Sequence, residues 1–332
     1  MTNINTEFNL QFEKSKRMRI PKVIRSYNIQ KLIIETAKSV VVASNHPDTN
    51  DKVAIKCIPI DTFRLSPNED VIMRQLDHPQ IVKYYESFPY PDQNPRFFVI
   101  VMRRGVYDLL DYIERNKTAA EPIVCKIMKD SLTALHYLHS LNICHRDIKL
   151  DNILVMDETR SGLTVNLTDF GLSVKDDTGI LQLPGTGTFE YSAPELLQVK
   201  NGRLSYKSNA QYGFNVDVWS MGIVMFALLA GYLPFDIGFQ NDVERLFKGE
   251  VSFDPIQFRS SDGSVGIRDS FRSVSQEAQM LISQMLNPDP DQRLSVEDVL
   301  NDPWFQIYQD GDLFNQEDNN EIFDAFNSEV EG

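Results

Sequence analysis

Residues 145–152 read His-Arg-Asp-Ile-Lys-Leu-Asp-Asn, and this octapeptide constrains the chain more than any other stretch. Asp147 is able to take a proton from a hydroxyl group, and Lys149 is able to neutralise a phosphoryl group during transfer. Asn152 offers a carbonyl oxygen to a hard metal ion. The alternative is a polar turn after a helix, so the interpretation depends on further motifs elsewhere in the sequence.

Three further signatures accompany the octapeptide in a defined order along the chain. They are Val53-Ala54-Ile55-Lys56 upstream of it, then Asp169-Phe170-Gly171 and Ala193-Pro194-Glu195 downstream. Together the four signatures resemble the set found in eukaryotic serine/threonine protein kinases, and the resemblance covers residues 27–305. It implies a bilobal α+β fold, with an antiparallel sheet and one helix in the smaller N-terminal lobe and a mainly helical C-terminal lobe.

The pattern of apolar residues also indicates an α+β fold. Runs of β-branched and aromatic residues predict strands at Ile29–Ile34, Val40–Ala43, Val53–Ile58 and Phe97–Val101. Ser66-Pro67-Asn68-Glu69 predicts the start of a helix among these strands, with Ser66 as its cap. After Arg104 the pattern is mostly helical, beginning at Tyr107–Arg115 and Ile123–Leu141. A small sheet followed by helices is typical of the α+β class.

Four segments follow from these patterns. We predict a basic N-terminal extension, an N-terminal lobe, a C-terminal lobe and an acidic tail, at residues 1–26, 27–104, 105–305 and 306–332. The tail contains eight acidic residues and no Lys or Arg. It either docks on the catalytic domain or stays disordered.

Composition and charge exclude some functions and favour one cellular location. The net charge of −14 argues against a general nucleic-acid or anionic-membrane binder. The longest apolar run, Ile223–Ala230, is too short to span a bilayer. Three scattered cysteines without metal-type spacing suit a reducing compartment. We therefore expect a cytoplasmic protein, with the nucleus as the alternative, and no nucleic-acid or membrane partner.

The family resemblance assigns roles to the candidate catalytic residues. Asp147 would orient the substrate hydroxyl, while Lys149 and Lys56 would balance the charge of the phosphates. Asn152 and Asp169 would hold Mg²⁺, which would bridge oxygens of ATP instead of occupying a closed protein cage. ATP and Mg²⁺ are therefore the expected cofactors.

The same resemblance predicts a nucleotide site. Lys56 would hold the α- and β-phosphates and pair with Glu69, although Glu69 also fits the acid of a helix capping box. The other positions, taken from the shared register, are Val40, Ala54 and Leu154 around the adenine, Val101 behind it, Met102 and Arg104 in the hinge, and Asp108 at the ribose.

The phosphate-covering loop departs from the family pattern. Where the family has three glycines ahead of Val40, this chain has Ile33, Glu35 and Lys38, and no glycine occurs before Gly105. Glycine lets backbone N–H groups approach a phosphate without a Cβ atom in the way. We therefore predict weaker nucleotide binding than in a kinase that has the glycines.

The segment between Gly171 and Ala193 has an unusual acceptor position. In kinases of this type, the arginine that precedes the catalytic aspartate, here Arg146, binds a phosphate on this segment. Pro184 occupies the usual phospho-acceptor position here. One alternative is that Thr178 or Thr186 is the acceptor. The other is that Asp176 and Asp177 supply a permanent negative charge.

The C-terminal half resembles kinases that act on proteins. Gly187-Thr188-Phe189-Glu190-Tyr191 resembles a substrate-facing loop, which implies a protein substrate with a Ser or Thr acceptor. Asp151 near the substrate groove would accommodate a basic residue ahead of that acceptor. The stretch 231–235 and the ending Pro303-Trp304-Phe305 make the chain most similar to the calmodulin-dependent and AMP-activated kinase group.

We therefore expect an ATP- and Mg²⁺-dependent, non-specific protein serine/threonine kinase that transfers the γ-phosphoryl group to a protein hydroxyl. The alternative is a pseudokinase, a binding or scaffold module with little or no turnover. The missing glycines favour the alternative, whereas the intact Asp147, Lys149 and Asp169 favour activity because they supply charge stabilisation. The physiological substrate and the oligomeric state stay open.

Overall fold

The computed structural model describes residues 20–65, 68–90, 96–159, 162–259 and 265–308. The chain divides into two compact units. The N-terminal unit comprises Met1–Leu65 and Tyr84–Arg104, and the C-terminal unit comprises Ser66–Lys83 and Gly105–Gly332. The predicted helix cap at Ser66, most of the N-terminal extension and residues 309–332 of the tail lie outside the described residues.

The N-terminal unit is built on a five-stranded antiparallel sheet with the strand order β3-β4-β5-β7-β6. The strands of this unit are β1 (Val23–Ile24), β2 (Tyr27–Asn28), β3 (Lys31–Glu35), β4 (Val40–Asn45), β5 (Lys52–Pro59), β6 (Tyr84–Tyr90) and β7 (Phe97–Arg103). The core of the unit lies on the central strands, where Val53, Ile55, Cys57, Val99 and Val101 are buried together. Alternation of side chains along β5 and β7 places these apolar residues on one face.

One helix of the N-terminal unit was not predicted from the sequence. Helix α1 (Ile60–Leu65) follows β5 directly, with Asp61 in its first turn. Its six residues are too few to show a helical period, and the preceding strand continues the apolar pattern up to Pro59.

The helices of the C-terminal unit are α2 (Asn68–Met73), α3 (Leu109–Asn116), α4 (Glu121–Ser140), α5 (Asn215–Ala230), α6 (Gln240–Lys248), α7 (Gln276–Met285), α8 (Val296–Leu300) and α9 (Trp304–Ile307). Helix α5 is buried along almost its whole length, since its sequence is apolar on every side. It ends at Gly231, whose positive φ of 78° suits glycine, and a Cβ there would meet the Lys117 carbonyl oxygen at 2.3 Å.

Short strand pairs connect the helices of the C-terminal unit. They are β8 (Tyr107–Asp108), β9 (Ile143–Cys144), β10 (Ile153–Thr159), β11 (Gly162–Leu167), β12 (Val174–Lys175), β13 (Leu181–Leu183), β14 (Leu197–Lys200), β15 (Arg203–Tyr206), β16 (Ala210–Tyr212), β17 (Ile256–Arg259) and β18 (Val265–Arg268). The pairings are β11-β10-β8, β12-β9, β13-β16, β14-β15 and β17-β18. A sheet-based unit and a mainly helical unit confirm the predicted α+β class.

Two boundaries differ from the predicted ones for identifiable reasons. Helix α3 begins at Leu109 instead of Tyr107, because Asp108 is its N-cap and accepts a bond from Asp111 N at 2.9 Å. The C-terminal helical region is split into α8 and α9 ahead of Trp304, since Pro303 is not able to continue a helix. No helix within the described ranges is long and apolar enough to cross a membrane.

Glu195 and Arg293 form a buried ion pair. Two guanidinium nitrogens of Arg293 donate to the two carboxylate oxygens of Glu195, at 2.7 and 2.9 Å. The same guanidinium donates to the main-chain oxygens of Asn215 and Asn287. The Arg293 side chain is 0% exposed and that of Glu195 is 11% exposed. Arg293, which lies between α7 and α8, therefore joins the Ala-Pro-Glu signature to the start of α5.

We predict that Glu195→Gln lowers the free energy of unfolding by about 3 kcal/mol, because it leaves a buried guanidinium without its counter-charge. Chemical denaturation measures the change. The matched control is Asp242→Asn, which removes the charge from an ion pair with Arg245 whose side chains are 25% and 30% exposed. That change should cost less than about 1 kcal/mol. Equal losses for the two variants would contradict the prediction.

Candidate active site

The loop at residues 145–152 is held by the carboxylate of Asp217, near the start of α5. Asp217 accepts the backbone N–H of His145 at 2.8 Å through Oδ2 and that of Arg146 at 2.8 Å through Oδ1. His139 Nε2 lies 3.0 Å from Oδ2. Asp217 therefore braces this loop through two consecutive backbone N–H groups.

Asp217 is fully buried but keeps its charge. Burial raises the pKa of its carboxyl group, but the hydrogen bond and charge of His139, the charge of His145 and the Arg146 N–H together hold that pKa below the ordinary value. The group is therefore ionised at neutral pH. An ionised acceptor makes stronger bonds to the two backbone N–H groups than a neutral one.

Two residues of the site have a left-handed backbone. Arg146 has a φ of 69° and Asp169 has a φ of 61°. A non-glycine residue in this region costs on the order of 1 kcal/mol, so the surrounding contacts must impose it. For Arg146, the bond to Asp217 is such a contact.

Asp147, Lys149 and Thr188 form a compact polar cluster. The Thr188 hydroxyl donates to Asp147 Oδ1 at 3.0 Å, and Lys149 Nζ donates to the same hydroxyl oxygen at 3.2 Å. Lys149 Nζ also lies 3.3 Å from Asp147 Oδ2. The cluster therefore places a carboxylate and an ammonium group around a single hydroxyl oxygen.

Asn152 is fixed against Asp147. Its amide nitrogen donates to the Asp147 main-chain oxygen at 2.8 Å and to Asp147 Oδ2 at 3.1 Å. Because the nitrogen is used in this way, the carbonyl oxygen of the Asn152 side chain is the atom able to bind a cation. The donor type suits Mg²⁺.

Asp169 lies in the Asp-Phe-Gly turn. Its Oδ1 accepts the N–H of Gly171 at 3.3 Å. In the part of the chain that the structure describes, no group of three or more His, Cys, Asp or Glu side chains could hold a metal ion. A hard cation at Asp169 and Asn152 would accordingly take further oxygens from a bound ligand or water.

His145 and Phe170 pack in the interior. Both are fully buried, and their rings lie 5.1 Å apart. The Nε2 atom of His145 lies 3.0 Å from the main-chain oxygen of Thr168. These contacts tie the catalytic loop to the segment that leads into Asp169.

The predicted nucleotide residues of the N-terminal unit lie on three central strands of its sheet. Val40 is on β4, Ala54 and Lys56 are on β5, Val101 and Met102 are on β7, and Arg104 follows β7. Ala54 pairs directly with Met102. The Arg104 N–H donates to the main-chain oxygen of Lys52 at 3.0 Å. Their nucleotide-binding roles stay predictions.

The other predicted nucleotide residues belong to the C-terminal unit. Leu154 on β10 pairs directly with Asp108 on β8, so these two lie together. Gly105 packs against Leu154, since a Cβ at position 105 would lie 2.9 Å from the Leu154 Cβ. Glu69 is buried on α2. Its predicted pairing with Lys56, a residue of the N-terminal unit, stays a prediction.

The loop that would cover the phosphates is a closed turn. Ile33 and Glu35 lie on the exposed strand β3, and Lys38 lies in the turn after it. The Thr36 hydroxyl oxygen accepts the N–H groups of Lys38 and Ser39, at 3.2 and 3.0 Å. Backbone N–H groups that a glycine-rich loop would offer to phosphate are therefore used within the turn.

The guanidinium of Arg146 binds main-chain carbonyl groups. It donates to the oxygen of Pro184 at 3.0 Å and to that of Leu172 at 3.4 Å. Asp176 instead accepts from Thr178, and Asp177 accepts from Asn142. Both carbonyl groups lie on the segment that a phosphate would otherwise order.

Two residues near the catalytic loop were not singled out from the sequence. The Ser192 hydroxyl donates to the Thr188 main-chain oxygen at 2.8 Å and lies 2.7 Å from the Tyr206 hydroxyl. Ser192 lies beside the Ala-Pro-Glu signature, which is its only sequence signal. Tyr206 has none, because only the folding of β14 and β15 returns it to this place.

Comparisons with known proteins agree with this architecture. Residues 27–305 match the protein kinase domain family. The meiosis-specific serine/threonine-protein kinase mek1 of Schizosaccharomyces pombe is 34% identical over 78% of this chain and 55% of its own length. Calcium-dependent protein kinase 5 of Plasmodium falciparum is 33% identical over 82% of this chain and 44% of its own length. The SNF1-like protein kinase ssp2 of S. pombe is 31% identical over 86% and 45%. The chain thus spans about half the length of these relatives.

We predict that Asp217→Asn loosens the catalytic loop. Asparagine offers one acceptor oxygen where the carboxylate offers two, so one backbone N–H at His145 or Arg146 loses its partner. The expected cost is about 2 kcal/mol in the free energy of unfolding, together with faster hydrogen exchange at these amides. Exchange measured by mass spectrometry, alongside chemical denaturation, tests both.

The control for this prediction is Asp298→Asn, which alters the exposed capping box of α8. It should cost about 1 kcal/mol and leave exchange in residues 145–152 unchanged. If Asp217→Asn also leaves that exchange unchanged, Asp217 does not hold the loop.

Proposed function

The chain belongs to the protein kinase family, and from this premise we propose that it is an ATP- and Mg²⁺-dependent serine/threonine kinase that phosphorylates proteins. One observation carries the proposal. The carboxylate of Asp147 and the ammonium of Lys149 both bind a single hydroxyl oxygen, that of Thr188. This is the combination that an acceptor hydroxyl needs, a base for its proton and a positive charge for the group it receives.

In the proposed reaction, Asp147 orients the acceptor hydroxyl and takes its proton. Lys149 and Lys56 stabilise negative charge on the phosphates, and the carboxylate of Asp169 and the amide oxygen of Asn152 would hold Mg²⁺. The bound metal ion would neutralise the phosphate oxygens. The bonds from Asn152 to Asp147 support this assignment, because they hold the metal-binding amide and the base in one rigid unit.

The proposed protein substrate has a Ser or Thr acceptor, with a basic residue ahead of it. Burial raises the pKa of Asp108, and the negative charges of Asp111 and Asp151 add to that rise. Asp111 lies in the first turn of α3, directly after its N-cap Asp108. A group of acidic side chains in the catalytic unit would attract a lysine or arginine of the substrate.

The remaining expectations are proposals of the same kind. All three cysteines are free thiols and buried, which agrees with a reducing compartment such as the cytoplasm, with the nucleus as the alternative. The net charge of −14 supports the absence of nucleic-acid or membrane partners. The comparisons give no support to the pseudokinase alternative, and the assay below decides between turnover and binding alone.

We predict that the purified chain transfers labelled phosphate from Mg-ATP to serine and threonine of a generic basic protein. Asp147→Asn and Asp169→Ala should each reduce the rate by about 1000-fold, because one removes the base and the other removes a metal ligand. The matched control is Asp157→Asn, an exposed carboxylate on β10, which should keep the wild-type rate. Label incorporation that persists in Asp147→Asn would identify a contaminating kinase. If no protein incorporates label, the wild-type chain included, the result would support the pseudokinase alternative.

We further predict that replacing Ile33, Glu35 and Lys38 together by glycine tightens Mg-ATP binding about tenfold. Glycine would free the backbone of this loop to approach the phosphates, and the change removes the negative charge of Glu35. Titration calorimetry measures the dissociation constant. The control is the same triple replacement by alanine, which changes the side chains but restores less backbone freedom. Unchanged affinity in the glycine variant would contradict the prediction.

A further inference from the structure

The segment that follows the Ala-Pro-Glu signature folds back on the loop that precedes it. We call residues 197–212, which contain β14, β15 and β16, the return segment. Strand β16 pairs antiparallel with β13 of the loop, so that Leu181 faces Tyr212 and Leu183 faces Ala210. A further backbone bond runs from Gly185 N to the oxygen of Lys207, at 3.0 Å. The loop is therefore joined to the return segment over residues 181–185.

Tyr206, the last residue of β15, makes the side-chain contacts of this junction. Its ring stacks on that of Phe189, with centroids 4.3 Å apart and planes inclined by 13°. The ring also lies directly against the backbone of Gly185, where an added Cβ would come within 2.8 Å of the Tyr206 Cδ1 atom. The same Cβ would also meet the Leu196 main-chain oxygen at 2.6 Å, so position 185 requires glycine.

The direction of the hydrogen bonds beyond Tyr206 follows from counting protons. A serine hydroxyl has one proton, and that of Ser192 goes to the main-chain oxygen of Thr188, at 2.8 Å. The bond of 2.7 Å between Ser192 and Tyr206 must then be donated by the tyrosine. Burial raises the pKa of Tyr206 to about 12, so its hydroxyl keeps this proton at neutral pH.

The hydrogen-bonded chain ends at the catalytic base. The main-chain oxygen of Thr188 accepts the hydrogen bond from Ser192. The Thr188 hydroxyl donates a hydrogen bond to Asp147 and accepts one from Lys149 Nζ. Tyr206 thus acts on Thr188 from two sides, through Ser192 and through the ring of Phe189, the residue next to Thr188. Stacking and a donated bond together restrict the position of Thr188 more than either contact alone.

We propose that Tyr206 is a positioning residue for phosphoryl transfer, which sets Thr188, and through it Asp147 and Lys149, in the geometry that the acceptor hydroxyl requires. This inference rests on the proposed kinase function. It assigns a catalytic consequence to the return segment, a part of the chain that shares no signature with the catalytic motifs. Tyr206 does not touch the reacting atoms, and its effect passes through Ser192 and Phe189.

The experiment compares Tyr206→Phe, which keeps the ring and loses the hydroxyl, with Tyr206→Leu, which loses both. Ser205→Ala is the matched control, because Ser205 lies on the same strand and its hydroxyl donates to the main-chain oxygen of Gln198 in the same hairpin. We expect kcat for a peptide substrate to fall about threefold in Tyr206→Phe and about tenfold in Tyr206→Leu. The KM for ATP should stay at the wild-type value in all three variants.

A second readout does not require activity. Hydrogen exchange across residues 185–192 should become faster in Tyr206→Leu and stay at the wild-type rate in Ser205→Ala. If the wild-type chain transfers no phosphate, the proposed function fails, and this exchange alone decides whether Tyr206 orders the loop. Wild-type exchange in Tyr206→Leu would overturn the inference. A Tyr206→Leu variant with a lower unfolding midpoint but wild-type kcat would also overturn it, because the role would then be structural only.

Discussion

The catalytic unit depends on one buried interaction, the bonds from the carboxylate of Asp217 to two consecutive backbone N–H groups. These bonds connect the buried helix α5 to the loop at His145 and Arg146. A charge in the interior is costly unless it is fully hydrogen-bonded, and here the loop backbone supplies those bonds. The helix therefore determines the position of the loop. The left-handed backbone of Arg146 is tolerated because Asp217 holds its N–H group and that of His145.

From that anchor the polar contacts extend outward in two directions. Along the loop itself, Asn152 is bonded to Asp147. Toward residues 187–191, the Thr188 hydroxyl is bonded to Asp147 and Lys149. Ser192 donates to the Thr188 main-chain oxygen and is bonded in turn to Tyr206. Each bond by itself contributes on the order of 1 kcal/mol. Their effect on chemistry is larger than their effect on stability, because small displacements of a reacting group strongly reduce the rate.

Arg146 and the return segment hold the loop between Gly171 and Ala193 through its backbone groups. Arg146 binds carbonyl oxygens there, and the β13–β16 pairing supplies backbone bonds to the return segment. In the N-terminal unit, the Thr36 hydroxyl accepts two N–H groups of its own turn. At both places, the donors that the family pattern offers to a phosphate are bonded within the protein.

By itself the sequence determined the α+β class, the central strands and the long helix α4. Long elements have a clear apolar period, and the motif residues identify one another by their order along the chain. Only the tertiary structure decided α1, the short strand pairs and the approach of Tyr206 to Ser192. A six-residue helix or a four-residue strand shows no reliable period, and its position depends on contacts with residues far away in the chain. For the same reason the sequence identified Asp147 and Thr188 separately, whereas their hydrogen bond required the fold.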